Sequence, residues 1–289
     1  SIVLLKPMDA FLRRKQANAM EPIIQVQDLT HIYPTGNVVA IKNISLEIKQ
    51  GEIVGVIGQN GSGKTTLVKH FVGLLKPTQG KVIINGQDTA PLRVQKIAAH
   101  VGYVYQNPNH QLFARTVRDE LAFGPRNLDL PEDEVNDRVE KATEFFNLQD
   151  MLELHPYRIS FPLRKLVGMA SIYTMQPAVF ILDEPTTGQD NITTQTVYRL
   201  IRKLREQGST VLCVSHDMIL LAEVVDRMLV LRDGDLIMDA NPREVFSDNG
   251  IMSSTHLTPP QITTLSLKLK EKYGVFEQAA LSITEMVNE

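Results

Sequence analysis

With one cysteine in 289 residues, Cys213, the chain has no disulfide and no cysteine-based metal site. Cys213 lies in the apolar run TVLCVSH, where a small buried hydrophobe is expected, and a reducing compartment suits it. No uninterrupted apolar stretch reaches the length of a membrane-crossing helix, and the N-terminal IVLL is too short for the apolar core of a secretion signal. The expectation is a chain that dissolves in water or is held at a membrane by a partner. Positive charge is not in excess either: 30 Lys and Arg against 33 Asp and Glu give a net charge of −3, with a sequence pI near 6.2. The electrostatic footprint of a nucleic-acid binder is therefore missing. No internal repeat is visible, and the length allows one large domain or two.

What the chain does have is concentrated between Gly58 and Thr66, where GQNGSGKTT fits the phosphate-gripping pattern G-x-x-x-x-G-K-[ST]. Gly58, Gly61 and Gly63 would let backbone N–H groups turn inward as an anion nest. Lys64 adds a point charge for the β- and γ-phosphates, and the Thr65 hydroxyl is placed to sit on Mg²⁺. Asn60, Ser62 and Thr66 complete the expected contacts with the phosphates. Chance would supply the pattern in roughly one chain in a hundred of this length, so its surroundings have to support it. They do: EIVGVIG reads as a strand entering the loop, and KTTLVKHFVGLL, with Leu67, Phe71 and Leu75 at helical spacing, reads as a helix leaving it. No second loop of this kind occurs.

Around this loop the chain alternates strand and helix signals. Residues 21–46 suit strands about the turn YPTGN, and GKVIINGQD reads as a hairpin turning at Asn85-Gly86. Residues 131–148 carry Val135, Val139, Ala142, Phe145 and Phe146 at helical spacing, with Glu132, Asp133 and Glu134 in the first turn. A second helix is predicted after Ser160, with Leu163, Leu166, Val167 and Ala170 on one face, so that a helical insert spans about residues 107–175. Strands resume at AVFILDE, TVLCVSH and MLVLRDG, with a helix over 192–207 ended by Gly208 and another opening at Asn241-Pro242-Arg243-Glu244. The order is α/β. Three segments are expected: an extension or linker over 1–20, an ATPase domain over 21–240, and a small C-terminal appendage over 241–289 that contacts another subunit. Met20 is a candidate original start.

VFILDE, Val179 to Glu184, describes a buried parallel strand with two acids at its end, the edge at which such sheets bind ligands. Asp183 would hold Mg²⁺ through water, and Glu184 would polarise the attacking water. Alone, the pair reads equally well as a solvated strand end; the phosphate loop upstream favours the nucleotide site.

With Tyr33, Gln106, Asp183-Glu184-Pro185, Asp190 and His216 in this order, the chain resembles ABC-type ATPases, the nucleotide-binding subunits of ABC transporters, over about residues 23–240. The resemblance implies a P-loop NTPase, RecA-like core with a β-rich entry subdomain. It also implies Tyr33 stacking on adenine, Gln106 touching Mg²⁺ and water, His216 contacting the γ-phosphate, and Asp190 in a loop that crosses to a second subunit. Each has a plainer reading: loop residues for Tyr33 and Gln106, a strand-end histidine for His216, a helix cap for Asp190. The run QNPNHQLFARTVRDELAFGPRNL and the later LTPPQITTL are similar to the ATPases of energy-coupling factor (ECF) transporters, importers of vitamins and transition-metal ions. This implies a peripheral place on the cytoplasmic face of the cell membrane. The implied partners are a second ATPase, a transmembrane coupling protein docked beside residues 106–124, and a small membrane protein that captures substrate. Leu112, Phe113, Val117, Leu121 and Phe123 serve equally as core of the insert.

One departure stands out. The family's Leu-Ser-Gly-Gly-Gln signature aligns with Ile159, Ser160, Phe161, Pro162 and Leu163, so only Ser160 survives to face the ATP of a partner paired head to tail. Pro162 is accepted in a first helical turn yet offers no N–H to a phosphate. Gln189 replaces the family's usual leucine. A heterodimer with unequal sites is expected, its competent site built from this chain's phosphate loop, Asp183, Glu184 and His216. The alternatives are a soluble ABC ATPase acting on nucleic acid or ribosomes, and a regulatory subunit that holds nucleotide with little turnover.

Overall fold

In a computed structural model that describes residues 22–288, the expected alternation resolves into two sheets. The extension over 1–20, including Met20, lies outside the described residues. β1 (Pro22–Tyr33) and β2 (Val38–Lys49) form a long antiparallel hairpin, and β4 (Gln79–Ile84) with β5 (Gln87–Asp88) extend it to the order β2-β1-β4-β5. The second sheet has the order β10-β9-β3-β8-β7-β6, built from β3 (Ile53–Gly58), β6 (Val101–Val104), β7 (Val179–Asp183), β8 (Thr210–Val214), β9 (Arg227–Arg232) and β10 (Asp235–Ala240). All its neighbours are parallel except β10, which runs antiparallel to β9.

The apolar runs of β3, β7 and β8 are buried on both faces, and the strand period of two sorts them between two cores. Val54, Val56, Val179, Ile181, Leu212 and Val214 face the antiparallel sheet and α1 (Lys64–Phe71). Ile53, Ile57, Phe180, Leu182, Val211 and Cys213 face the other way, toward a core shared with the remaining large helices. Cys213 is fully buried, as its apolar setting predicts, and burial pushes its thiol well above the ordinary range.

α3 (Val117–Asn127), α4 (Glu132–Phe146) and α5 (Phe161–Met175) pack on one another. α4 begins on its three acids and ends at Asn147 in the left-handed region, and its five apolar positions supply its buried or partly buried face. α6 (Asn191–Glu206) is capped by Asp190 and stops before Gly208 at φ 73°. The short α2 (Val94–Ala98) and α7 (Met218–Val224) connect strands. In the tail, α8 (Pro242–Ser247) opens as its sequence predicts: the Glu244 N–H donates to Asn241 Oδ1 at 3.0 Å and Asn241 Nδ2 donates back to Glu244 Oε1 at 2.7 Å. α9 (Asn249–Thr255), α10 (Gln261–Tyr273) and α11 (Ile283–Asn288) follow.

One helix is shorter than its periodicity predicts. α1 ends at Phe71 rather than continuing to Leu75, because Gly73 turns into the left-handed region and the N–H groups of Leu74 and Leu75 fold back on the Lys69 carbonyl at 2.9 and 3.2 Å. Inside its last turn, fully buried His70 donates from Nδ1 to the Thr66 carbonyl at 2.7 Å. Its other nitrogen, Nε2, lies 3.1 Å from His31 Nδ1, which is itself 3.2 Å from the Lys76 carbonyl and so carries the proton. Protonating His70 would set two N–H groups face to face in a dry site. Burial is the main reason its pKa falls to about 4.

The sign of the linkage follows. An unfolded chain takes up this proton near pH 6.5, but the folded one does so only near pH 4, so stability is full above 6.5 and drains as pH falls through that window. The separation of those two values corresponds to about 3 kcal/mol. Urea unfolding is expected to show this loss between pH 6.5 and 4, and His70→Gln to flatten that part of the profile.

Candidate nucleotide site

The loop between β3 and α1 is held by backbone contacts that only glycine permits. A Cβ on Gly58, at φ 146°, would lie 2.1 Å from the Leu231 carbonyl of β9, and one on Gly63 would lie 2.6 Å from the Ala40 carbonyl of β2. These two glycines are required for close packing of the loop against the sheets, whatever their N–H groups hold. Gly61, at φ 82°, has open space where its Cβ would be, and it lines the cavity. The Ser62 hydroxyl is buried with no hydrogen-bond partner, and the Lys64 ammonium donates to its own loop, to the carbonyls of Gly58 at 2.6 Å and Gln59 at 2.8 Å. A nest with an unpaired hydroxyl and an ammonium parked on weak neutral acceptors suits a polyphosphate. Burial pulls the Lys64 pKa down, and Glu184 and Asp183 oppose that pull.

A cavity of about 550 Å³ opens above the loop. Tyr33, Asn60, Gly61, Gly63, Lys64, Thr65, Thr66, Gln106, Asp183, Glu184 and His216 all line it, although they come from five separate stretches of chain. Gly58 and Ser62 are not among its lining residues. Tyr33 is anchored by a 3.2 Å contact between its hydroxyl and Thr66 Oγ1, and its ring meets His31 edge-on at 4.7 Å. Ser160 stands apart: it is exposed at the start of α5, its side chain makes no cap bond, and none of Ser160 to Leu163 lines the cavity.

The two acids at the end of β7 have different surroundings. The buried Asp183 accepts a 2.6 Å hydrogen bond from the Tyr103 hydroxyl on β6. Burial raises its pKa, with Tyr103, Lys165 and Lys64 acting against that rise. Tyr103 carries no mark in the sequence; only the parallel pairing of β6 with β7 brings it there. Glu184 takes a left-handed φ of 48°, unusual for a side chain with a Cβ, while its N–H donates to the Val214 carbonyl at 2.8 Å. Thr187 Oγ1 donates to Glu184 Oε2 at 3.0 Å, and His216 Nε2 lies 3.6 Å from Oε1. The carboxylate is thus held between a hydroxyl and an imidazole at the mouth of the cavity, where it can accept a proton from water.

Lys165 carries no signal in the sequence, where the helix after Ser160 is marked only by Leu163, Leu166, Val167 and Ala170 on one face. It is 1% exposed, and its ammonium donates to the carbonyls of Glu184 and Thr187. Asp190, assigned by resemblance to the crossing loop, is here the cap of α6, accepting the Thr193 N–H at 2.8 Å. At Gln189, both polar atoms of the side chain are buried without partners. Among the described residues no three His, Cys, Asp or Glu side chains cluster as a metal site, and no helix is long and apolar enough to cross a membrane.

Comparison with known proteins agrees with this geometry. The ABC transporter family model matches residues 41–187. A putative ABC transporter ATP-binding protein of Caldanaerobacter subterraneus is 41% identical over 92% of this chain, which spans only 45% of that protein. The energy-coupling factor transporter ATP-binding protein EcfA of Methanothermobacter thermautotrophicus is 40% identical over 86% of this chain and 80% of its own length. Among solved structures, cbiO1 from Clostridium perfringens, part of the ABC transporter complex cbiONQ, superposes with a TM-score of 0.71 at 30% identity, covering 88% of this chain and 96% of its own. A dimeric ATP-binding cassette in a post-hydrolysis state with ADP and Pi superposes at 0.69 with 26% identity, covering 76% of this chain and 99% of its own. The chain belongs to the ATP-binding proteins of ABC transporters, among the ATPases of the energy-coupling factor type.

Proposed function

We propose that this chain hydrolyses ATP as one half of an unequal ATPase pair, on the cytoplasmic face of a membrane, and drives an ECF-type importer of vitamins or transition-metal ions. The observation that carries the asymmetry is the contrast between a complete set at its own cavity, Lys64, Asp183, Glu184 and His216, and a signature reduced to Ser160 outside it. In a head-to-tail pair, the competent site is this chain's loop closed by the partner's signature. Ser160 and Phe161 close over the partner's nucleotide.

At the competent site Tyr33 stacks on adenine, and the loop N–H groups with Asn60, Ser62 and Thr66 take the phosphates. The Lys64 ammonium exchanges its two carbonyls for β- and γ-phosphate oxygens. Glu184 polarises the attacking water and His216 contacts the γ-phosphate. Thr65, Gln106 and Asp183 are the oxygen donors that would hold Mg²⁺, a hard-ligand set that suits the ion; when bound, it supplies neutralising charge to the phosphates. ATP joins the subunits and hydrolysis releases them, so that α3–α5 move whatever is docked on them.

The docking surface is the groove of about 470 Å³ between α2, α3 and α5. At its rim Phe113, 61% exposed, and Phe123, 48% exposed, meet edge-on at 4.6 Å, a pairing suited to a helix of a transmembrane coupling protein. Glu120 fixes this rim by accepting the N–H groups of Phe113 and Ala114 at 2.9 and 2.8 Å. Affinity capture of the full chain from detergent extracts is the test. Membrane proteins and a second ATPase are expected to copurify, and Phe113→Asp is expected to cut the membrane-protein yield about tenfold or more while ATP binding persists. Recovery of nucleic acid or ribosomes instead would overturn the reading.

A further inference from the structure

We propose that Lys165 is a positioning residue for hydrolysis: from the first turns of α5 it clamps both ends of the Glu184–Thr187 turn, and so fixes where the Glu184 carboxylate points. Its ammonium reaches the backbone carbonyl of Glu184 at one end and that of Thr187, at 3.1 Å, at the other. Within the same turn the Thr187 hydroxyl holds Glu184 Oε2 at 3.0 Å, and the Thr187 N–H reaches back only weakly, 3.4 Å from the Glu184 carbonyl. Without Lys165 the Glu184 carbonyl would keep only that weak contact, and a left-handed Glu184 would have lost its principal tie on the carbonyl side.

The cost of keeping a cation here indicates a role beyond filling space. Lys165 is almost wholly buried, and burial brings its pKa down to about 8 against the pull of Glu184 and Asp183. Among the described residues no carboxylate pairs with it directly; its partners there are main-chain oxygens. An apolar side chain would pack in that space without the desolvation cost, so the lysine is explained by the carbonyls it holds. Its helix begins at Ser160, and Phe161 lies against Gly188, one residue beyond the clamped turn, with 3.3 Å from Phe161 Cε1 to where a Gly188 Cβ would be. The segment that faces the partner's nucleotide and the turn that carries this chain's own base are thus tied by one side chain.

This inference rests on the assignment of Glu184 as the residue that polarises water, and the test separates the two. Steady-state ATPase is measured on the full chain in the complex that copurifies with it, for Lys165→Met, Lys165→Gln and, in parallel, Glu184→Gln. Misplacing a reacting group by about 1 Å costs as much as 100-fold, so Lys165→Met is expected to lower kcat about ten- to a hundredfold. KM for ATP should stay within about threefold, because the phosphate loop is untouched. Lys165→Gln, which retains N–H donors on a shorter stem, is expected to recover part of the lost kcat. Turnover of Lys165→Met within twofold of the parent would overturn the proposal. So would a parallel fall of kcat, ATP affinity and Tm in both variants, or failure of both to fold, since either result makes the lysine a structural prop. Full turnover in Glu184→Gln would instead overturn the assignment of the base.

Discussion

Replacing Glu184 with glutamine is expected to cut ATP turnover by about a hundredfold or more while ATP still binds. The amide keeps the shape of the carboxylate and can still accept the 3.0 Å hydrogen bond from Thr187 Oγ1, so the turn and the cavity should survive. What disappears is the capacity to take a proton from water and the negative charge facing His216 at 3.6 Å and the buried ammonium of Lys64. Phosphoryl transfer asks little covalent chemistry of a protein and much positioned charge, so loss at this point falls on the chemical step and not on binding. Phosphate release from a complex carrying the substitution in this chain alone is the measurement. The matching substitution in the partner ATPase should do less harm. If it did more, the competent site would be the other one.

The same residues show where the sequence was legible and where it was not. The phosphate loop and the acids ending β7 were readable because their chemistry depends on neighbours in the chain: glycines at fixed offsets, a lysine followed by threonines, four apolar residues followed by two acids. The two-sided burial of β3, β7 and β8 was readable for a similar reason, since continuous apolar runs have no polar face to spare. Local reading missed contacts between residues far apart in sequence. Tyr103 reaches Asp183 across 80 positions, Lys165 reaches Glu184 across 19, and the Gln59 side chain in the phosphate loop touches the Ser254 carbonyl and His256 Nδ1 in the appendage across about 200. A lysine inside an apolar stretch looks like a helix surface until the fold turns it inward.

Glycine is only half legible, because its presence does not say which neighbour demands it. Gly58 and Gly63 answer to the carbonyls of Leu231 and Ala40, and Gly73 ends a helix that apolar spacing would have carried on. Asp190 shows the reverse case. Its plainest reading, a helix cap, is what this chain displays, with the Thr193 N–H and hydroxyl both at 2.8 Å from Oδ1. A capping carboxylate fixes the loop before α6.

Restoring the signature should produce the second large effect, and in the opposite direction. With Phe161→Gly, Pro162→Gly and Leu163→Gln combined, the second site of the proposed pair, closed by this chain, is expected to speed up, by as much as about a hundredfold if the recovered N–H stabilises transition-state charge. The local structure favours the exchange. Ser160 is already exposed and its hydroxyl is not spent on capping α5, and Pro162 sits in the first turn, where the intrahelical ladder needs no N–H. A hydrogen bond to a charged group is worth about 1.5 to 3 kcal/mol, so binding of the partner's nucleotide alone should tighten some ten- to a hundredfold. One cost is foreseeable: Phe161 lies against Gly188 and under the Arg164 guanidinium at 5.9 Å, so its removal loosens the loop before α6. Lys165 and its two carbonyls are left in place, which should confine that loosening to the outer turn. The measurement is single-turnover hydrolysis in a complex whose competent site has been silenced by Glu184→Gln, so that every phosphate released comes from the repaired site. Rates unchanged by the repair would mean that Ser160 to Leu163 do not meet a nucleotide at all, and the unequal pair would have to be abandoned.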